Sequence, residues 1–426
     1  MSPRLWALAG FLVLGAALVA VLVTTTPGRP LAAAASPDAT RDFSAAEIRR
    51  EVDFHDALRP PALTALAVGL AASGLLGLTS WGARLVASVA RLGGDRWQIT
   101  VVLGVLAVTV LLRLTRLPFA MRAETVRRRF GLSNQDWAGW ALDVAKSTAV
   151  GVAVLSVALL TLYAVVRWSP DRWWVGAAVA GAGLVVVASF GYPLVVEPLF
   201  NRFTSLPQGE LRTSLLELAE RDGVAVDDVL VADASRRTTA LNAYVSGIGA
   251  TRRIVVFDTL LESATPQEVR LVVAHELGHV VENDVRDGTL VGALAVAAAM
   301  PLLYLLFSWT PLLRRAGVTT LADPRSLALV AFAVTALSLM TAPVQTLVSR
   351  RVEARADLHS LELTEDVATF VATERRLALA NLSDLEPNRV LYLLFATHPS
   401  APERIALARA WAERADRRPP VALQAP

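Results

Sequence analysis

The residues best placed to do chemistry are His275, Glu276 and His279, inside Leu271–Asp284, LVVAHELGHVVEND. They read HExxH. On a helix the two histidines stand one turn apart on one face and can hold a single metal ion. Glu276 is rotated off that line, so its carboxylate reaches a water beside the ion and can take its proton. That is the zinc-hydrolase pattern, with His275 and His279 as ligands, Glu276 as general base and Zn2+ as the cofactor, one ion per chain. The chain has five histidines and no cysteine, so thiolate ligands are excluded and the donors must be imidazole and carboxylate. A helix is well signposted: Thr265 suits the N-cap, Pro266 the first position and Glu268 a capping box. It should run from Pro266 to about Asp284, with Gly278 allowing another backbone to come close.

A hydrolytic site of this kind needs a third protein ligand, and SRRVEARAD at Ser349–Asp357 offers one. Glu353 and Asp357 are four apart and share a helix face, so one can bind the metal while the other orients a ligand histidine. Glu353 is assigned to the metal. Asp357 is left as orienter or as a proton donor in turnover; for the pair alone, an ordinary solvated face alternating with Arg350, Arg351 and Arg355 is the competing reading. The remaining histidines differ in promise. His55, between Asp53 and Asp56, reads as solvated surface, and His359 should point away from the Glu353 face. His398, in ATHPSAPERIALA, is fixed at a helix entrance by Pro399, Ser400 and Pro402. Spacing alone leaves it either a satisfied surface residue or a catalytic one.

Positioning these residues falls to a chain of 426 residues that is 54% hydrophobic, with a positive mean hydropathy. That is more apolar than a soluble domain tolerates, so a polytopic, mainly α membrane protein is expected. Seven spans can be read: Leu5–Thr24, Leu63–Ser80, a short one at Ile99–Leu112, Ser147–Val166, Trp173–Val196, Thr289–Trp309 and Leu327–Gln345. The first is longer than a signal core and reads as a retained span, although Ala32–Ala35 supply small residues suited to cleavage. Two spans separate HExxH from Glu353, so both fall on one side of the membrane, as shared coordination requires. The same parity puts the Arg113–Ser147 connection on that side. Its basic residues Arg113, Arg116, Arg122, Arg127, Arg128, Arg129 and Lys146 mark the side as cytoplasmic by the positive-inside rule. Lys146 is the single lysine, the arginines form no stripe with aromatics, and the net charge is only +3, so nucleic-acid binding is not expected.

Five spans with their loops (1–196) are thus followed by a soluble α/β insert carrying HExxH (197–288). The last two spans (289–345), a helical C-terminal part completing the metal site (346–418) and a tail (419–426) come after. Within the insert, Gly209–Asp222 reads as a helix and Val229–Ala232 and Arg253–Phe257 as strands. LNAYVSGIG, Leu241–Gly249, reads as an edge strand and turn, whose free N–H and C=O groups suit an extended peptide. A charged helix opens at the Ser44–Glu47 capping box and should end near Ala57. A non-catalytic scaffold or lipid-binding protein is the competing class, but it would be recognised by a missing base or ligand, and all are present. A transporter would carry ionisable residues in mid-span, and these spans are nearly free of them.

Taken together the blocks resemble the type I CAAX prenyl proteases, seven-span membrane zinc endopeptidases. The resemblance rests on LPFAMRAETVRRRFGLSNQD (Leu117–Asp136), PLFNRFTSLPQGELR (Pro198–Arg212), NAY (Asn242–Tyr244) and RRIVVFDTLL (Arg252–Leu261). HELGH, the Glu353–Ala356–Asp357 pattern and THPSAPER (Thr397–Arg404) follow in the family's order. It implies a ring of seven helices around a water-filled chamber, with zinc on His275, His279 and Glu353 and Glu276 as base. By the same resemblance Asn242 and Ala243 line the substrate, and His398 and Arg404 position the peptide or stabilise the oxyanion. Relatives in eukaryotes process prenylated C-terminal peptides. This arginine-rich chain looks bacterial, so an integral protein of a bacterial cell membrane is expected, compatible with a monomer. Its expected partners are the bilayer and membrane-associated peptides or proteins.

Overall fold

The computed structural model describes residues 2–28, 37–94, 96–247, 249 and 252–414; Ala32–Ala35 and the 419–426 tail lie outside them. The chain opens with α1 (Pro3–Thr25), α2 (Ala45–Leu78), the short α3 (Ser80–Ala90), α4 (Trp97–Arg129), α5 (Trp137–Trp168) and α6 (Trp173–Gly191). A π turn at Tyr192–Val196 carries α6 into α7 (Glu197–Phe200). Among the described residues seven helices are long and apolar enough to cross a bilayer, and each grows from one of the apolar runs in the sequence.

Four of them, α2, α4, α5 and α13, run well past the apolar runs, and α2 and α4 depart most from the sequence reading. The charged helix opened by Ser44 and the span beginning near Leu63 form one helix, α2, which passes through Pro60 and Pro61 without a break. Its capping box is in place, the Ser44 N–H donating to Glu47 at 2.8 Å. Proline removes a main-chain donor but keeps a helical φ, so a long helix packed by neighbours tolerates it. The short run at Ile99–Leu112 is the first half of α4, whose 33 residues span about 50 Å. A hydrocarbon core is only ~30 Å thick. The helix therefore projects beyond it carrying Arg122 and Arg127–Arg129, and the connection to α5 shrinks to Phe130–Asp136.

The insert comprises β1 (Phe203–Ser205), α8 (Glu210–Arg221), β2 (Asp228–Ala232), β3 (Ala243–Ser246), β4 (Arg253–Phe257), α9 (Asp258–Ser263) and α10 (Pro266–Val281). The strands lie in the order β1-β2-β4-β3, with β2 and β4 parallel and both outer pairs antiparallel. β3 is thus an edge strand. Alternate residues Val229, Ala243, Ile254 and Val256 pack on Leu215 and Leu218 of α8 and on Val269, Val273 and Leu277 of α10. The sheet is a platform whose main task is to seat α10.

The chain then re-enters the membrane as α11 (Asp284–Phe307), turns through α12 (Thr310–Arg315) and returns as α13 (Leu327–Thr364). α13 continues unbroken past 345, where the apolar run gives way to charged residues. α14 (Val367–Asn381), α15 (Arg389–Phe395) and α16 (Ala401–Arg414) complete the described residues. Neighbouring spans pack in the sequence α13, α2, α4, α5, α6, α11, with α1 outside on α11. At the end far from the insert, Leu162, Trp173, Phe307, Leu313 and Leu329 close the arc from five elements. At the near end α10 bridges α13 and α11. No span buries more than 28% of its most apolar window. Among the described residues this low burial fits spans whose inward faces line a chamber.

A buried stitch ties the two ends of the chain together beside the insert. Asp42, 1% exposed, accepts from Arg409 of α16 at 2.7 Å, and Arg375 of α14 donates to the Asp42 carbonyl at 2.9 Å. Asp42→Ala strands a buried guanidinium and should cost about 3–5 kcal/mol. Denaturant titration of the detergent-solubilised protein, followed by tryptophan fluorescence, checks this.

Candidate active site

α10 starts on the capping box foreseen for it, with the Thr265 N–H donating to Glu268 at 2.7 Å and the Glu268 N–H to Thr265 Oγ1 at 3.3 Å. It ends at Val281, three residues earlier than its charged tail suggested. Asn283 takes a left-handed φ of 60° and starts α11 in a new direction. His275 and His279 project from one face and their Nε2 atoms lie 3.3 Å apart. Each Nδ1 meets a carboxylate: Asp357 Oδ1 at 2.9 Å for His275, and Asp284 Oδ2 at 2.8 Å for His279. Glu353, from α13, brings Oε2 to 3.3 Å of His275 Nε2 and Oε1 to 3.8 Å of His279 Nε2. Among the described residues, Glu353 is the glutamate that meets both Nε2 atoms; Glu276 pairs with neither.

These distances suit a metal ion. An ionised carboxylate only accepts, so both Nδ1 atoms carry the proton and both Nε2 lone pairs face each other. Two lone pairs at this separation repel unless a cation lies between them. Glu353 Oε2 is buried and accepts no well-aligned hydrogen bond, a loss that a bound ion makes good. A tetrahedral ion with bonds of about 2.0–2.1 Å has donor-to-donor edges of about 3.3–3.4 Å, close to those seen. Charge points the same way. Burial by itself depresses the His275 pKa, but the carboxylates of Asp357 and Glu353 beside it outweigh this and raise it to about 10, so the pocket favours a cation at this ring.

Glu276 sits beside this group, one carboxylate oxygen lying within 4.8 Å of a nitrogen of each histidine. Burial pushes its carboxyl above the usual range against the pull of the two imidazoles, which raises its proton affinity. His398 is mostly exposed to the cleft, with Nε2 3.3 Å from Glu353 Oε2. Asp357 is fully buried and also accepts from Arg404 Nε at 2.9 Å. The other end of that guanidinium lies 2.7 Å from Glu374 of α14. Asn242 and Arg404 line the same cleft, whose volume is about 870 Å3, while the Ala243 side chain is buried in the core of the insert. His275, Glu276, His279, Glu353, Asp357, His398, Arg404 and Asn242 thus converge.

Several partners were not foreseen. Asp284, five residues beyond His279, would lie off its face on a continuous helix; the break at Asn283 swings it back. Arg355, read as solvated, pairs with Asp284 and with Glu282 at 3.1 Å. Arg350 is also no surface residue. It is 9% exposed and donates to the carbonyls of Tyr392 at 2.9 Å and Ala396 at 2.6 Å, holding the end of α15 just before His398. His359 does point elsewhere, to Asp222 at 2.9 Å, and it is this side chain, not a backbone, that packs on Gly278. His55 is half-buried, donating to the Leu382 carbonyl at 2.9 Å.

Comparison with known proteins bears on what this arrangement is. Residues 205–412 match the model of peptidase family M48, and residues 64–202 match that of the CAAX prenyl protease N-terminal region with five membrane helices. An uncharacterised metalloprotease of Bacillus subtilis, YhfN, is 32% identical over 304 residues, 71% of each chain. The chain belongs to peptidase family M48. CAAX prenyl protease 1 of Saccharomyces cerevisiae is 32% identical over 174 residues, 40% of this chain and 38% of that protein. The crystal structure of S. mikatae Ste24p shares the fold, with a TM-score of 0.78 at 22% identity over 96% of this chain and 99% of that one. This M48 protein is therefore an integral, multi-pass membrane metalloprotease with the fold of a type I CAAX prenyl protease.

Because Asp284 fixes the ring and tautomer of His279, Asp284→Ala should weaken divalent-metal binding by about 10–100-fold. Competition against a chromogenic chelator measures this, and circular dichroism confirms that the helices persist.

Proposed function

We propose that the protein is a zinc endopeptidase that cuts membrane-associated peptides or proteins at the cytoplasmic face of a bacterial cell membrane. The observation that carries this reading is the meeting of two imidazole lone pairs and a buried carboxylate at 3.3 Å spacing, each ring held from behind by an acid. His275, His279 and Glu353 would hold one Zn2+. When bound there, zinc polarises the scissile carbonyl and lowers the pKa of water to about 7.

The protein's own groups do the rest. Glu276, beside the ligands but not pairing with them, takes a proton from the attacking water and returns it to the leaving nitrogen. Asp357, with Arg404 behind it, keeps the His275 ring in one tautomer, and its complete burial favours orientation over proton delivery. His398 faces the cleft, where its imidazole can steady the carbonyl oxygen as charge develops. Arg404 adds positive charge behind His275. The main chain of Ala243, on the outer side of β3, offers an edge along which an extended substrate can pair, with Asn242 lining the cleft beside it.

Arg122 and Arg127–Arg129 stand where α4 projects on the insert side, which supports a cytoplasmic orientation. The insert at 197–288 supplies the two histidines and the base, and 346–418 supplies Glu353 and its supports. One chain holds every site residue, so a monomer suffices. Relatives named CAAX prenyl protease 1 make prenylated C-terminal peptides one substrate to try beside unmodified membrane proteins.

Glu276→Gln should keep zinc and lose about 10²–10⁴-fold in kcat; near-normal turnover by zinc-loaded variant would refute the base. Glu353→Ala should lower zinc per chain in metal analysis, and unchanged stoichiometry removes it from the ligand set. His398→Ala should lower kcat with zinc retained, while unaltered kinetics would leave it structural. Peptidomics of membranes holding active protein against Glu276→Gln identifies the substrate.

A further inference from the structure

The Phe257 N–H donates to the Asn242 carbonyl at 3.0 Å, so the main-chain groups of Asn242 face β4. In an antiparallel ladder successive residues alternate sides. The N–H and C=O of Leu241, Ala243 and Val245 therefore point to the open edge, where an added chain would pair. At Leu241 both groups are already taken by one side chain. Its N–H donates to Asn381 Oδ1 at 2.8 Å, and Asn381 Nδ2 donates to its carbonyl at 3.1 Å. A carboxamide carries the same donor and acceptor as a peptide group. Asn381 thus occupies the place that one residue of a pairing strand would fill.

The carboxamide is firmly held. Asn381 ends α14, and Leu382 follows at a left-handed φ of 50°, its side chain 2% exposed against Phe54 of α2 and Val126 of α4. The Leu382 carbonyl is fastened by His55 of α2. Beyond this point the cleft continues between Ser383, Asp384 and Arg59, with Arg59 and Asp384 paired at 2.5 Å. A chain reaching that end meets side chains and no free strand edge.

We propose that Asn381 is the end stop of the substrate-pairing edge, and so a specificity-determining residue. An extended peptide pairs at Ala243 and Val245 and is barred from Leu241, which limits how many residues on that side of the scissile bond add binding. This rests on the endopeptidase reading above.

The test uses zinc-loaded full-length protein in lipid nanodiscs and a nested series of internally quenched peptides. All share one scissile sequence and are lengthened residue by residue at either end. With wild type, kcat/KM should rise with length at one end and then level off. Asn381→Ala frees Leu241, and the levelling point at that end should move outward by about two residues, the repeat of outward-facing positions. Asn381→Asp keeps the acceptor, loses the donor and repels the Leu241 carbonyl, so it should move the limit the same way and covers the case in which the alanine variant does not fold. An unmoved limit in both variants, or an equal loss at every length, overturns the proposal while leaving the peptidase intact. No cleavage by wild type, or cleavage that survives Glu276→Gln, removes the underlying reading and the end stop with it.

Discussion

Two imidazole lone pairs aimed at each other across 3.3 Å form the constraint around which this molecule is built. The arrangement is unfavourable without a cation, and the fold enforces it from four directions. α10 supplies both rings on one face, and α13 supplies the facing carboxylate. Asp357 and Asp284 hold the rear nitrogens, so neither ring can turn away. Arg404 and Arg355 in turn hold those two acids. Preorganisation of this kind places the cost of assembling like poles in folding and not in each catalytic cycle.

Membrane geometry explains how the parts meet. Glu353 is 26 residues beyond Leu327, or about 39 Å along a straight helix. That exceeds the ~30 Å hydrocarbon thickness, so the carboxylate emerges at the rim instead of lying in lipid. α4, about 50 Å long, overshoots in the same direction. The insert rests on these projecting ends, and the chamber below is what remains when the spans stand in an arc and do not close on a common core. Charged and hydrogen-bonding groups at this depth are tolerated because protein and a hydrated hollow surround them.

What could be read in advance depended on how local the cause was. HExxH, its capping box and the Glu353–Asp357 pair all follow from helical spacing, and they appeared where spacing placed them. The Arg253–Phe257 strand showed as a β-branched run. Asp284 was missed because its role depends on one residue, Asn283, leaving the helical region, which no periodicity reports. Arg350 and Arg355 look like surface among their polar neighbours; only α15, which buries Arg350, and Asp284 of α11, which pairs with Arg355, show otherwise. β1 is three residues long and exists because it pairs with β2. The continuity of α2 through two prolines likewise came from its neighbours, against its own propensity.

Asp284 opens α11, and Glu353 with Asp357 lies toward the end of α13, so every acid that meets a ring nitrogen of the two histidines belongs to a helix that also crosses the bilayer. A fragment cut free of the spans lacks these carboxylates. A fragment sparing only the sheet and α10 would keep the motif by which such enzymes are recognised yet hold a pair of rings with nothing between or behind them. Recombination that shuffled the insert onto another anchor would meet the same fate, which ties the inheritance of the chemistry to that of the membrane scaffold.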